Sequence, residues 1–174
     1  MFSKVNIVKI VKHHISTLKN YRTNKYSVGD FILFFGIPLF IAVIFVYFNI
    51  SLTHNLTSLL ITSLSIFAAL LFNLLLLIYD VVQKSKNGNA LKIKFLREVY
   101  SNISFCILIA ILAIVILILI SIFNNRNDLF IYRIFNLIFN FMAYYLITLF
   151  LLTLFMILKR IHVLLYKEYK EVEK

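Results

Sequence analysis

The chain has 174 residues, 62% of them hydrophobic, with a mean hydropathy of +0.95 and a formal net charge of +11. A soluble domain of this length has too little polar surface to cover so much apolar side chain. The composition argues against an ordinary water-soluble enzyme and points to lipid as the solvent.

Residues 1–30 form a basic N-terminal segment. Phe2, Val5, Val8, Val11, Ile15 and Leu18 recur at spacings of three and four, while Lys4, Lys9, Lys12 and Lys19 fall largely off that face. This pattern predicts an amphipathic helix over residues 2–22 lying at the lipid headgroup boundary. Packing on the protein's own cytoplasmic loops is the alternative. The adjacent His13 and His14 have the wrong spacing to share a metal on a helix and read as polar-face residues. Asp30 is placed to cap the helix that follows.

Four runs without Asp, Glu, Lys, Arg or His come next. They are Phe31–Phe48, Leu56–Tyr79, Ile103–Phe123 and Ile134–Leu158, of 18, 24, 21 and 25 residues. At about 1.5 Å per residue each can cross a hydrocarbon core of about 30 Å. Continuous apolarity favours helices over a membrane barrel, whose strands alternate. The first run is too long for a signal-peptide core and no small-residue cleavage site follows, so it is expected to be retained.

Each run has its own polar or irregular marks. In the first, Gly36 and Pro38 are candidates for a hinge or for static curvature. The second places Ser58, Thr62, Ser65, Ala69 and Asn73 on one face, and the third offers Asn102, Cys106, Ala110, Ala113 and Ser121. Small residues let membrane helices approach closely. These stripes therefore predict that spans two and three pack through them, with Asn73 pointing inward. In the fourth run Asn136, Asn140, Tyr144 and Thr148 stand four apart, either hydrogen-bonding to neighbouring helices or lining a wet path. The single cysteine, Cys106, cannot form an intrachain disulfide and reads as a small packing residue.

The connections carry the charge. Sixteen of the eighteen Lys and Arg residues lie before span one, between spans two and three, or after span four, and only Arg126 and Arg133 lie on the other side. By the positive-inside rule both termini and the middle loop are cytoplasmic. Tyr47, Tyr79, Tyr100 and Tyr132 mark the expected interfaces. Asn87-Gly88-Asn89 signals a turn in the middle loop, between extensions of spans two and three. Asp80, at the end of span two, is expected either to pair with Lys84, Arg97 or a partner's basic residue, or to be solvated. Residues 159–174 continue span four as a helix with an apolar stripe of Ile161, Leu165, Tyr169 and Val172. Such a stripe calls for a partner.

The expected architecture is an all-α integral membrane four-helix bundle with both termini cytoplasmic, preceded by an amphipathic interfacial helix. It divides into the N-terminal segment 1–30, the membrane domain 31–158 and the C-terminal extension 159–174. No paired carboxylates, activated nucleophile, phosphate-binding glycine loop or metal-ligand spacing is present, so no enzyme activity, cofactor or metal is expected. The spans hold no carboxylate of the kind proton-coupled exporters use. The basic segments suit anionic lipid headgroups. Direct nucleic-acid contact by this chain is the weaker reading of its charge.

The segments Asp30–Phe40 (DFILFFGIPLF), Ser63–Asp80 (SLSIFAALLFNLLLLIYD), Glu98–Cys106 (EVYSNISFC) and Leu158–Tyr169 (LKRIHVLLYKEY) resemble small membrane proteins of bacterial anti-phage operons. The resemblance is to the membrane subunit of Kiwa-type defence systems. It implies a homo-oligomer in the bacterial inner membrane, working with a cytoplasmic DNA-binding partner. Carried onto this chain, Arg97, Lys159, Arg160, Ile161, Leu165 and Tyr169 are the candidate docking residues. Two other classes compete with this reading. One is a holin-like or abortive-infection pore, supported by the Asn136–Thr148 stripe. The other is an immunity or assembly factor for another membrane protein.

Overall fold

The computed structural model describes residues 7–18, 28–84, 90–123 and 130–172. These are helical, with no strand among them. The elements are α1 (Ile7–Ser16), α2 (Val28–Phe31), a π-helical segment (Ile32–Gly36), α3 (Ile37–Tyr47), α4 (His54–Lys84), α5 (Ala90–Phe123) and α6 (Phe130–Val172). The expected turn at Asn87-Gly88-Asn89 lies outside the described residues, as do Phe2, Val5 and the side chains of Asp30, Tyr132, Tyr169 and Val172.

Three of the described helices are long and apolar enough to cross a membrane: His54–Lys84, Ile93–Phe123 and Ile134–Tyr166. The first apolar run gives a shorter apolar helix, Ile32–Tyr47. Large apolar side chains such as Leu59, Leu77, Ile122 and Leu158 face outward, while His14, Thr57, Ser101, Asn102, Asn140 and Thr153 are buried. In water that distribution is costly, at about 25 cal/mol for each Å² of apolar surface left exposed. In lipid it is favourable, because hydrocarbon takes the apolar belt.

Helices α2, π and α3 run on without a break. Pro38 has no N–H to offer, and Ile37 instead donates its N–H to the Ile32 carbonyl five residues back. The helix absorbs the missing bond by widening into a π turn. Gly36 keeps ordinary helical angles, φ −74° and ψ −46°. Neither candidate hinge residue thus interrupts the helix.

After α3 the chain reverses through Asn49, whose φ is +52°. Asn49 donates to Val46 O and Ile50 to Phe45 O, each at 3.0 Å, which is the hydrogen-bond pattern of a Schellman cap with asparagine in the usual glycine position. Thr53 then caps α4 through its Oγ1, which accepts from Leu56 N at 3.4 Å.

The packing is an open arrangement more than a closed bundle. α5 is central, with α4 on one flank and α6 on another. α3 packs on α6, and α3 and α4, although consecutive, do not pack on each other. α4 turns Thr57, Leu64, Leu71 and Ile78 to the core, a seven-residue repeat suited to a shallow crossing. This corrects the expected inner face of the second span. Ser58, Thr62, Ser65, Ala69 and Asn73 all lie on the exposed side of α4. Stripe-on-stripe packing of spans two and three therefore does not occur, although the helices are neighbours. On α5 the stripe is buried: Asn102, Cys106, Ala110 and Ala113 have no exposed surface. Cys106 Sγ faces the Phe150 carbonyl of α6 at 3.8 Å.

α1 folds back onto α5. His14 is its buried residue, with Ile10 and Val11 half-buried and Val8 exposed, and Leu18 just beyond its end is buried as well. The expectation that His14 belongs to the polar face is overturned. The start of α5, the end of α6 and α1 consequently meet at one end of the molecule, and the 48–53 turn lies at the other.

Candidate functional site

Two polar joints hold the ends of the bundle. The first joins α1 to α5 and α6. His14 Nδ1 lies 3.0 Å from Asn102 Oδ1, and Thr17 Oγ1 lies 2.8 Å from the same oxygen. The His14 ring stacks on Phe105, with centroids 3.8 Å apart and planes 6° apart, and meets Phe34 of the π segment edge-on at 6.0 Å. Arg160 reaches in from α6. Its Nη1 donates to Glu98 Oε2 at 2.6 Å and its Nη2 to the Thr17 carbonyl at 2.8 Å. A guanidinium at the C-terminal end of α1 satisfies a free carbonyl there and complements the helix dipole.

This joint is not fully satisfied. Among the described residues, His14 Nε2, Asn102 Nδ2 and Ser101 Oγ are buried without a hydrogen-bond partner. Each such atom costs about 1–3 kcal/mol. Burial, with a smaller contribution from the Arg160 charge and against the hydrogen bond to Asn102, lowers the His14 pKa from 6.5 to about 4. The ring is therefore neutral at pH 7 and packs as an aromatic group.

The second joint fastens the 48–53 turn to α6. Tyr144 Oη donates to the Ile50 carbonyl at 2.6 Å, and Asn140 Oδ1 accepts from Leu52 N at 3.4 Å. Asn140 Nδ2 donates to the Asn136 carbonyl and side-chain oxygen, each at 2.8 Å. Thr148 Oγ1 donates to the Tyr144 carbonyl at 2.8 Å, and Phe45 packs edge-on against Tyr144 at 4.9 Å. The Asn136–Thr148 stripe thus spends its hydrogen bonds on α6 itself and on the backbone of the turn.

The remaining candidates fall in different places. Of the docking candidates, Arg97 and Lys159 are exposed, and Leu165 is exposed beside Tyr166. Ile161 packs against the core, and the side chain of Tyr169 is outside the described residues. Arg160 is only 17% exposed and is engaged inside the protein. Asp80 is exposed and pairs with neither Lys84 nor Arg97. The candidate packing residues Ser65 and Asn73 face outward. The Ser65 hydroxyl bonds back to the Ile61 carbonyl at 2.8 Å, and no hydrogen bond joins the Asn73 amide to another described residue. Among the described residues no group of three His, Cys, Asp or Glu is placed to hold a metal ion.

Sequence reasoning missed His14 and Glu98. The signal for His14 was available, because it lies seven residues from Ile7 and four from Ile10 and Leu18, on a continuous face. Glu98 and Arg160 are 62 residues apart and no local pattern joins them. No known family, curated protein or solved structure matches the chain.

Proposed function

We propose that the protein is a non-enzymatic membrane subunit of a bacterial anti-phage defence system, which oligomerises in the inner membrane and docks a cytoplasmic partner. In this reading four segments cross the bilayer. The fourth crossing is the continuous α2–π–α3 helix, whose 20 residues from Val28 to Tyr47 reach about 30 Å. The basic α1, the start of α5 and the end of α6 face the cytoplasm. The exposed Arg97, Lys159, Leu165 and Tyr166 form the docking surface at that end, and the basic segments also bind anionic headgroups.

The observation that carries the assembly role is the outward face of α4. Ser58, Thr62, Ser65, Ala69 and Asn73 present small and polar side chains toward lipid. An unpaired amide in hydrocarbon is unfavourable. A second copy of α4 lets the backbones approach and pairs Asn73 with its counterpart, a contact of ~0.6–2 kcal/mol. The Asn136–Thr148 hydrogen bonds within the protomer favour a scaffold over a pore.

Single-cysteine substitution tests the interface in native membranes, where the buried Cys106 stays unreactive. Ser65→Cys and Asn73→Cys are expected to form disulfide-linked dimers under mild oxidation, while Ile111→Cys on the exposed face of α5 is not. Cross-linking at Ile111 without any at Ser65 or Asn73 would move the interface off α4.

A further inference from the structure

We propose that α1 is a pH-sensitive latch: it covers the end of α5 while the His14 ring is uncharged, and protonation of that ring releases it. The inference stands apart from the assembly role, since it rests on contacts within one protomer.

The geometry offers no accommodation for an imidazolium. A charged ring carries two N–H donors. Among the described residues Asn102 Oδ1 is the acceptor at hydrogen-bond distance from the ring, and Thr17 Oγ1 already approaches it at 2.8 Å. The second N–H would replace the buried Nε2, which has no partner among the described residues. His14 itself has no exposed surface.

The charges around the ring also oppose a proton. From α6 comes Arg160, and from α5 comes Glu98, whose carboxylate is taken up by Arg160 at 2.6 Å. The π segment contributes Phe34, and α5 contributes Phe105, Ser101, Asn102 and the Cys106 thiol. Lys9, Lys12 and His13 of α1 and Arg97 of α5 are exposed. The Phe105 face would attract a cation, while burial, the largest influence, and the Arg160 charge both lower the pKa. The docked ring titrates near 4 against an ordinary 6.5.

The sign follows from linkage. The docked state binds fewer protons, so docking is strongest above pH 6.5 and weakens as pH falls from 6.5 toward 4. The loss is about tenfold per pH unit, up to about 300-fold in total. Between pH 7 and pH 5 it amounts to about 20-fold. The released helix is basic and amphipathic, a form suited to an anionic membrane surface.

Hydrogen exchange on the full-length protein in nanodiscs of zwitterionic lipid reads this directly, after correction for intrinsic exchange rates. Amides of Val11–Ser16 are expected to lose about 20-fold in protection between pH 7 and pH 5. Ile109–Leu117 in α5 should stay constant, and His14→Gln should hold α1 protection level with pH. A pH-independent α1 in the wild type, or an undiminished pH response in His14→Gln, would overturn the proposal. Titration of the wild-type ring by NMR needs no variant, and a His14 pKa at or above 6.5 would overturn it equally.

Discussion

Replacing Arg160 by alanine is expected to loosen α1 and the adjoining ends of α5 and α6 by ~2–3 kcal/mol. The side chain makes two charge-assisted contacts at once, to Glu98 and to the Thr17 carbonyl. Its removal strands a half-buried carboxylate and uncaps α1. Exposed ion pairs contribute little, because solvent screens them and both side chains lose freedom. This pair is different, since Arg160 is mostly buried and also bonds to backbone. Limited proteolysis after residue 18 should become faster in the variant. The His14 pKa should rise, because the nearby positive charge is one of the causes that depress it. Glu98→Gln on the Arg160→Ala background should recover part of the loss by removing the stranded charge. Unchanged proteolysis and an unchanged His14 pKa would show that Arg160 does not hold the joint.

The second large effect is expected at Phe150. It is among the largest fully buried side chains and lies where α6 meets α5, with its carbonyl against Cys106 and its ring 6.0 Å from Phe67 of α4. Phe150→Ala should destabilise the fold by ~2–4 kcal/mol. The figure sits toward the lower part of the range for soluble cores. In lipid the separated helices remain in hydrocarbon, so the transfer contribution largely cancels and the cavity and lost dispersion remain. The readout is the fraction of SDS needed to unfold the protein in mixed micelles. Phe155→Ala, at an exposed position on the same helix, should leave that value nearly unchanged.

Much of this architecture was legible in the residues. The apolar runs mark three membrane-length helices, and the extension of α4 past Tyr79, the start of α5 near Leu91 and the continuation of α6 beyond Leu158 follow from unbroken helical pattern. Asn136, Asn140, Tyr144 and Thr148 stand four apart on one face of α6 and form one hydrogen-bonded row. What that face does depends on the Schellman-capped turn, and nothing local announces that Ile50 O and Leu52 N sit beside it. The α4 face was misread for a physical reason. Small residues signal close approach, but not whether the approaching helix belongs to the same copy. The seven-residue repeat of Thr57, Leu64, Leu71 and Ile78 was the better guide to the intramolecular seam. His14 departs from the polar face expected for histidine because its ring is buried. A neutral ring bonded at one nitrogen and stacked on phenylalanine behaves as an aromatic core residue. The Arg160–Glu98 contact needs the antiparallel packing of α5 and α6 before it exists, so it could be found only in the fold.

The α1 joint and the α4 face sit on different sides of the same scaffold. One binds the protomer's own N-terminal helix, and the other is the proposed contact with a second protomer. This division is the one expected of the proposed assembly role. On that proposal the membrane-spanning interior serves packing and opens no path.

Dye-loaded liposomes containing this protein alone test that claim most directly. Dye is expected to be retained at protein densities where the α4 cross-link forms. Asn140→Leu, which removes the hydrogen bonds to Leu52 and Asn136, is expected to leave retention unchanged. Rapid dye release by the wild-type protein, abolished by Asn140→Leu with the cross-link intact, would contradict the scaffold and make the α6 stripe the wall of a pore.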